Sequence, residues 1–316
     1  MTILPWSRAW ERAARSFWAS TTPPEHFATS AGDVLADRLA TVVMDVHARL
    51  GASDDFTVMD VGAADGALLA SIRERCSLIG SRSRWLAVDV REHFVPGVEG
   101  VVAHVPGPLP GTPVRGVVMA HEWLDEIPLD VVERDADGDD RIVLVDDSGA
   151  EVLGPSLRDD GACETWGVDA AATREWLVRW WPLREPGDRA EIGISRDAAW
   201  SWLTRLVASG LALAVDYGHD AAQRQDALRH GTLAGYRDGR AADPVPDGSV
   251  NITAHVAIDS CAAAVPGTSV TRQIDEVTPA ALPHGATAAD VQRYFDARRL
   301  RQPAGLGGFA WMRWEA

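Results

Sequence analysis

A glycine-containing turn follows an apolar run in the stretch Val58–Leu69, whose sequence is VMDVGAADGALL. Asp60 lies two residues before Gly62, and Gly66 directly precedes a segment with helical spacing of its apolar residues. Glycines allow the backbone to approach a ligand closely, and the first N–H groups of a helix can bind a carboxylate. The spacing therefore predicts a strand, a turn and a helix that together bind a small ligand.

A second acid, Asp89, ends the next apolar run of the chain, which has the sequence WLAVD. In an open α/β sheet, ligands bind beyond the carboxyl ends of the strands, where an acid can accept both hydroxyls of a ribose. Asp60 and Asp89 within one βαβ unit therefore predict an adenosyl ligand. The alternative is an ordinary strand–turn–helix connection in which Asp89 caps a helix.

The turn lacks the G-x-G-x-x-G pattern of dinucleotide-binding folds, and Asp65 places negative charge where phosphates would lie. A dehydrogenase is therefore the least favoured enzyme class. The pattern acid-x-Gly-x-small-x-Gly instead resembles the first motif of class I S-adenosylmethionine-dependent methyltransferases, in which the acid helps to hold the amino-acid part of the cofactor. Ala64 replaces the middle glycine of that motif, which would cost about 1 kcal/mol if its φ were positive. The resemblance implies cofactor contacts at Asp60, Gly62, Ala63, Gly66, Asp89 and Val90.

Several further segments, taken in order, resemble the MidA-like family of methyltransferases, whose mitochondrial members assist complex I assembly by methylating an arginine of a complex I subunit. The resemblance spans about residues 25 to 260. It implies S-adenosyl-L-methionine as cofactor and a protein arginine as methyl acceptor. The segments are EHFATS (Glu25–Ser30), HEWLDEIP (His121–Pro128), AVDYG (Ala214–Gly218), GTLAGYRDGRAADP (Gly231–Pro244) and NITAHV (Asn251–Val256).

The resemblance places Glu122 and Asp125 where the family has paired acids beside the transferable methyl group. Carboxylates can receive a guanidinium bidentately and accept its proton, so we expect Glu122 to orient the acceptor and Asp125 to support it. The alternative for this run is an acidic first turn of a helix, which the helix dipole favours. If the acceptor were an oxygen or a thiol, His121 would be the better general base.

Three positions of these segments depart from the family pattern. His121 replaces Asn, Glu126 replaces Ala and Asn251 replaces Asp. Elsewhere in the segments, we expect His255 to be structural. We expect Asp216 and Tyr217 to position a loop at the rim of the site.

The pattern of apolar runs predicts an α/β fold with an inserted subdomain. The resemblance to class I methyltransferases implies that this fold is Rossmann-like, with a seven-stranded mixed sheet and helices on both faces. Continuous apolar runs at 56–61, 85–90, 101–105, 116–120 and 211–216 are typical of strands that are covered on both faces. A last strand, Gly308–Trp314, is expected to be antiparallel. A helix is expected at 198–209 and a functional loop at 217–250. The predicted domains are an N-terminal helical segment (1–50), a methyltransferase core (51–128 and 196–316) and an inserted cover subdomain (129–195).

Composition restricts the partners. A net charge of −16 argues against a nucleic-acid-binding surface, which needs clustered basic groups. No apolar run approaches the length of a membrane span, and the N-terminus lacks the apolar region of a secretory signal. The three cysteines have no metal-ligand spacing, so we expect no metal and a reducing, cytoplasmic location. The open alternatives for function are a small-molecule O- or N-methyltransferase and a non-catalytic assembly or binding protein with this fold.

Overall fold

The computed structural model describes residues 2–20, 32–224, 227–279 and 281–316. The family-like segment Glu25–Ser30 lies outside these residues. Contacts divide the described residues into two compact units. We call them the core unit (residues 32–124, 199–217 and 265–316) and the second unit (residues 2–20, 125–198 and 218–264).

The secondary-structure elements follow closely the apolar runs of the sequence. The strands are β1 (Leu4–Pro5), β2 (Thr57–Val61), β3 (Arg84–Asp89), β4 (Glu99–Val102), β5 (Val114–His121), β6 (Asp130–Arg134), β7 (Asp140–Val145), β8 (Glu151–Ser156), β9 (Arg189–Ile192), β10 (Val207–Asp216), β11 (Gly218–His219), β12 (Ala234–Arg237), β13 (Arg240–Ala242), β14 (Asn251–Thr253), β15 (Val256–Ala257), β16 (Ser269–Arg272) and β17 (Ala310–Glu315). The helices are α1 (Trp6–Ser20), α2 (Asp33–Arg49), α3 (Ala67–Arg75), α4 (Asp160–Thr165), α5 (Ala170–Trp180), α6 (Ile194–Arg205), α7 (Ala221–Arg224), α8 (Ile258–Ala263), α9 (Gln273–Glu276) and α10 (Ala288–Leu300).

The core unit contains a seven-stranded sheet with the strand order β16-β17-β10-β5-β2-β3-β4. The five strands from β10 to β4 in this order are parallel, whereas β17 is antiparallel to both of its neighbours. This arrangement confirms the predicted seven-stranded mixed sheet and its antiparallel last strand. From β2, the chain builds the sheet first toward β4 and then, through β5, in the opposite direction. The carboxyl ends of β2 and β5 therefore mark the switch point where α/β sheets bind their ligands.

Apolar side chains of α2 recur at helical spacing and are buried in the same cluster as the apolar side chains of the sheet strands. Burying such a side chain contributes roughly 1.5–3 kcal/mol, so this face of α2 stabilises the central strands. The buried α2 side chains include Leu35, Leu39, Val43 and Val46.

The helix predicted at 198–209 is wrong at both ends. It begins at Ile194 and ends at Arg205, and Val207 already pairs with Val114 of β5. Pairing with β5 overrides the local helical pattern beyond Arg205. Gly210 makes this pairing possible, because a Cβ built there would lie 2.0 Å from the carbonyl oxygen of Gly116.

The second unit contains an antiparallel five-stranded sheet in which β1, β6 and β8 all pair with β7, and β9 pairs with β6. Consecutive strands β6 and β7 form an antiparallel hairpin within the predicted insertion. The predicted loop at 217–250 instead contains short strands, since β12 pairs with β13 and with β14. The predicted domain boundaries stay predictions. The contact grouping differs from them in placing residues 2–20 and 218–264 with residues 125–198. No helix within the described part of the chain is long and apolar enough to span a membrane.

Candidate active site

The glycine turn connects β2 to α3 through three residues with positive φ. The φ angles are +73° at Gly62, +55° at Ala64 and +78° at Gly66, which is the N-cap of α3. The backbone N–H groups of Gly62 and Ala63 donate to the carbonyl oxygen of Val88 at 2.9 and 3.1 Å. The turn is therefore attached to the carboxyl end of β3.

Both glycines of the turn are required by packing as well as by φ. A Cβ at Gly62 would lie 2.6 Å from Cδ1 of Trp123, and one at Gly66 would lie 2.9 Å from Cγ2 of Val98. The space above Gly62 is therefore taken by an indole ring of the protein itself. Close approach of a ligand is not needed to explain either glycine.

Two buried carboxylates lie beside this turn. Loss of hydration, reinforced by the negative charge of Asp89, raises the pKa of Asp60 to about 8. Burial also raises the pKa of Asp89, although the neighbouring Arg91 opposes this shift. One Asp89 oxygen accepts the backbone N–H of Ala64 at 2.8 Å, and the other lies 3.2 Å from the guanidinium of Arg91. The structure thus brings the two predicted acids together. Because Asp60 is buried next to Asp89, its ionised form would be stabilised by a positively charged ligand group.

The other predicted cofactor contacts lie along the same edge of the core unit. Ala63 is buried, whereas the side chain of Val90 is 37% exposed directly after Asp89. An exposed apolar residue at the end of a strand can cover one face of a planar ligand such as adenine. Its contact with the cofactor stays a prediction.

The segment His121–Pro128, which we call the acidic segment, begins at the carboxyl end of β5. His121 pairs with Val215 of β10, and the backbone N–H of Glu122 donates to the Val215 carbonyl oxygen at 2.9 Å. Glu122 has a φ of +50°, a conformation that non-glycine residues rarely adopt. Strained residues persist where surrounding structure fixes them, commonly at functional sites.

The two side chains at the start of this segment differ in exposure. The Glu122 side chain is 24% exposed and the His121 side chain is 7% exposed, and His121 Nε2 lies 3.4 Å from Glu122 Oε1. Burial lowers the pKa of His121, while the charge of Glu122 opposes the shift. His121 is therefore neutral at pH 7, and of the two side chains the Glu122 carboxylate is the more accessible.

Asp216, at the end of β10, fixes the residues that follow Glu122. Its Oδ2 accepts the backbone N–H groups of Trp123 at 3.2 Å and Leu124 at 2.8 Å, and its Oδ1 accepts that of Tyr217 at 2.9 Å. Buried N–H groups need such acceptors. These hydrogen bonds match the loop-positioning role expected for Asp216.

The acidic segment continues into the second unit, where Arg196 holds its backbone. The carbonyl oxygen of Asp125 accepts from Nη2 of Arg196 at 2.6 Å, and that of Ile127 accepts from its Nε at 3.2 Å. Arg196 Nη1 donates to the carbonyl oxygens of Ala254 at 2.8 Å and His255 at 3.0 Å. One buried guanidinium thus joins two of the family-like segments.

Sequence reasoning missed Arg196, although a signal for it exists. Counting in steps of three and four residues from Arg196 along α6 reaches Ala199, Trp200 and Leu203, all fully buried. A buried arginine at the start of such an apolar face must have partners inside the protein. Asp125 is itself buried, and its predicted role toward a substrate stays a prediction.

Two of the three departures from the family pattern contact each other. The Asn251 side-chain amide donates to Oε1 of Glu126 at 2.7 Å. An aspartate at position 251 would put two carboxylates at this distance. Relative to the family pattern, the negative charge is at position 126 instead of position 251, and Asn251 donates a hydrogen bond to it.

The comparisons with known proteins agree with this geometry. A family model described as "Putative S-adenosyl-L-methionine-dependent methyltransferase" matches residues 97–273, more than half of the 316 residues. The matched range contains the acidic segment and the NITAHV segment. No curated protein matches the sequence.

Two crystal structures from Burkholderia thailandensis, both of proteins assigned to one superfamily, have a fold similar to that of this chain. One, bound to S-adenosyl-homocysteine, is 23% identical with a TM-score of 0.72, and the alignment covers 99% of this chain and 88% of that chain. The other, a native structure, is 22% identical with a TM-score of 0.70 and coverages of 99% and 87%. At this level of identity the similarity establishes the fold.

Proposed function

Because the chain belongs to this family of S-adenosyl-L-methionine-dependent methyltransferases, we propose that it transfers the cofactor methyl group to an arginine side chain of a protein. Within that family, the order of its motifs favours the MidA-like group, of which it would be a divergent member. The single observation that carries the proposed substrate is the strained, partly exposed Glu122 at the switch point of the sheet. A carboxylate there is placed to receive a cation.

The glycine turn has the chemistry that the cofactor needs. S-adenosyl-L-methionine, when bound, supplies a methyl group on a sulfonium. Asp60 is buried, and among the described residues no positive group contributes to its pKa, which burial and the charge of Asp89 raise to about 8. The ammonium of an amino-acid ligand would provide one, and Asp89 would accept the ribose hydroxyls.

Glu122 would act on the acceptor. An arginine is positively charged on arrival, so a carboxylate can bind the guanidinium bidentately, turn one nitrogen toward the methyl group and take the departing proton. Alignment of this kind can contribute roughly 7–11 kcal/mol to a bimolecular reaction. The neighbouring His121, being neutral, can donate a hydrogen bond that fixes the carboxylate.

The observations that favour other functions are more limited. A neutral His121 would suit an oxygen or thiol acceptor, which keeps a small-molecule methyltransferase as the second candidate, but its side chain is the more buried of the pair. A non-catalytic binding protein is favoured only by the positive φ of Ala64, which strains the cofactor turn.

A Glu122→Gln variant tests the proposal against both alternatives. We expect methyl transfer from labelled cofactor to arginine-containing proteins to fall by about 10²–10⁴-fold, because Gln cannot accept the proton. Calorimetric titration should give the same cofactor affinity as the unchanged protein. Glu74→Gln, an exposed change on α3, is the matched control and should leave both measurements unchanged.

Each alternative has its own outcome in the same experiment. Labelling confined to small-molecule extracts would replace the arginine proposal with the second candidate. Failure to bind S-adenosyl-L-methionine at millimolar concentration would leave only the non-catalytic function.

A further inference from the structure

A cavity of about 290 Å³ lies within the second unit, among residues to which the proposed methyl transfer gives no role. Strand β11 pairs with β15 beside this cavity, and the ring centroids of His219 and His255 lie 6.3 Å apart. Gly218 allows this pairing, because a Cβ there would lie 2.2 Å from the carbonyl oxygen of Val256. The cavity is lined by Gly218, His219, Ala222, Gln223, Ala227, Leu228 and His255.

The tautomer of His219 follows from its neighbour. Arg224 Nη1 lies 3.1 Å from Nδ1 of His219, and a guanidinium can only donate. Nδ1 must therefore accept, so in the neutral ring the proton is on Nε2. Burial and the charge of Arg224 lower the pKa of His219 to about 2, which keeps the ring neutral.

The Nε2–H group of His219 is an unsatisfied donor. His219 is 2% exposed, and its Nε2 has no hydrogen-bond partner among the residues that the structure describes. If the ring turned over, Arg224 would face the Cδ2–H group of His219 and lose its acceptor. Arg224 cannot easily move to another acceptor, because it is held by Asp259 and lies over the Trp181 ring. Buried donors without an acceptor are rare and call for a missing partner.

The surroundings of the cavity select the kind of partner. Arg224 and Arg196 both lower the pKa of His219, so the local potential is positive. A second cation is therefore disfavoured, whereas an oxygen with lone pairs is favoured. The alanines and Leu228 provide apolar wall beside the two imidazoles.

From this geometry we propose that the cavity is a binding site for a hydrogen-bond-accepting oxygen, from an amide carbonyl or a carboxylate, which accepts from Nε2 of His219 while a small apolar group of the ligand contacts Leu228. The site does not depend on the methyl-transfer proposal. It would select against a guanidinium, in contrast to the site proposed at Glu122.

Nitrogen-15 spectra of the histidine side chains of the full-length protein test this site without any activity measurement. The spectra should first show the proton on Nε2 of His219. Titration with N-methylacetamide and with acetate should then shift that Nε2 resonance in at least one case, and ethylguanidinium should leave it unchanged. A response to N-methylacetamide identifies the amide as the preferred oxygen, and a response to acetate identifies the carboxylate.

Two variants separate binding from folding. His219→Phe removes the donor and should weaken probe binding at least tenfold, measured by saturation-transfer NMR. Ala222→Trp leaves His219 intact, fills the cavity and should abolish the shift of its Nε2 resonance, while His284→Phe, an exposed change in the core unit, should have no effect. A proton on Nδ1, binding of ethylguanidinium at His219, or no response to either oxygen probe would overturn the proposal.

Discussion

Two turns at the ends of neighbouring strands each contain a non-glycine residue with positive φ, and they differ in the side chain that the strained residue carries. Ala64 in the glycine turn has a φ of +55°, and Glu122 in the acidic segment has a φ of +50°. The left-handed conformation costs roughly 1–2 kcal/mol for such residues. At Glu122 the strained backbone carries a partly exposed carboxylate, whereas at Ala64 it carries only a methyl group.

The turns also differ in how they are held. The glycine turn depends on Val88 and Asp89, which belong to the same βαβ unit. The acidic segment depends on Asp216, which lies 92 or 93 residues away from the N–H groups that it binds. One turn can therefore be predicted from local sequence, and the other takes its geometry from distant parts of the chain.

The largest effect should come from removing the distant support. Asp216→Ala leaves the N–H groups of Trp123 and Leu124 without their acceptor in the protein interior, so we expect the free energy of unfolding to fall by about 3 kcal/mol. Methyl transfer should fall with it, because Glu122 loses its fixed position. Denaturant unfolding followed by tryptophan fluorescence measures the stability change.

The matched control lies in the other turn. Asp65 accepts a single exposed N–H group, from Ala67 at 3.0 Å. Asp65→Ala should therefore cost only about 0.5–1 kcal/mol. Equal losses for the two variants would show that the acidic segment has no special dependence on remote residues.

A second test concerns the part of the acidic segment that lies in the second unit. Asn251→Asp would place two carboxylates at the 2.7 Å contact with Glu126, so we expect a loss of about 2 kcal/mol at pH 7 that becomes smaller at pH 4. Adding Glu126→Ala should recover most of this loss. If the double variant is no more stable than the Asn251→Asp variant, the two positions are not coupled.

The contrast between the turns also explains how far the sequence could predict the molecule. The order of apolar runs was sufficient for the central parallel strands, because strands that are buried on both faces are continuously apolar. The edge strand β16 has four exposed residues and no apolar run, so the seven-strand count came from the family resemblance. Asp60 and Asp89 were recognisable because each lies at the carboxyl end of an apolar strand. Their assignment to the cofactor stays a prediction.

Other features could not be predicted because their causes are remote in sequence. The end of α6 at Arg205 is set by pairing with β5, and the contact between Glu126 and Asn251 joins segments that no local pattern connects. The sequence identified Ala64 as a position that would be strained if its φ were positive, but it did not determine the sign of φ, which depends on the fold. Arg196 was predictable, because it is a charged residue in line with the apolar face of α6.

The third test uses the pKa of Asp60. Since the pKa is raised to about 8 from 3.8, the folded protein holds a proton that the unfolded chain has lost over the range between these values. The stability contribution of this group is present below pH 4 and is lost as the pH rises toward 8. Asp60→Asn should flatten that dependence.

Folding favours the protonated form of Asp60, whereas cofactor binding should favour its ionised form. An ammonium favours the ionised carboxylate, so S-adenosyl-L-methionine should release about one proton from the protein between pH 6 and 7, and its affinity should rise up to about tenfold per pH unit. Calorimetry in buffers of different ionisation enthalpy measures this proton. Proton release that persists in Asp60→Asn would assign it to another group.

The smallest expected effect comes from removing the backbone strain at Ala64. Ala64→Gly keeps the N–H donor to Asp89 and removes a Cβ from a left-handed conformation, so the free energy of unfolding should rise by about 0.5–1 kcal/mol. Ala52→Gly is the matched control, because Ala52 has a φ of +50° in an exposed turn after α2. Both variants should gain stability, but only Ala64→Gly should change the affinity for S-adenosyl-L-methionine. A gain in affinity would mean that the strain of Ala64 is relaxed when the turn closes around its ligand. A loss would mean that the strained alanine holds the turn in its binding conformation, as Glu122 is proposed to be held.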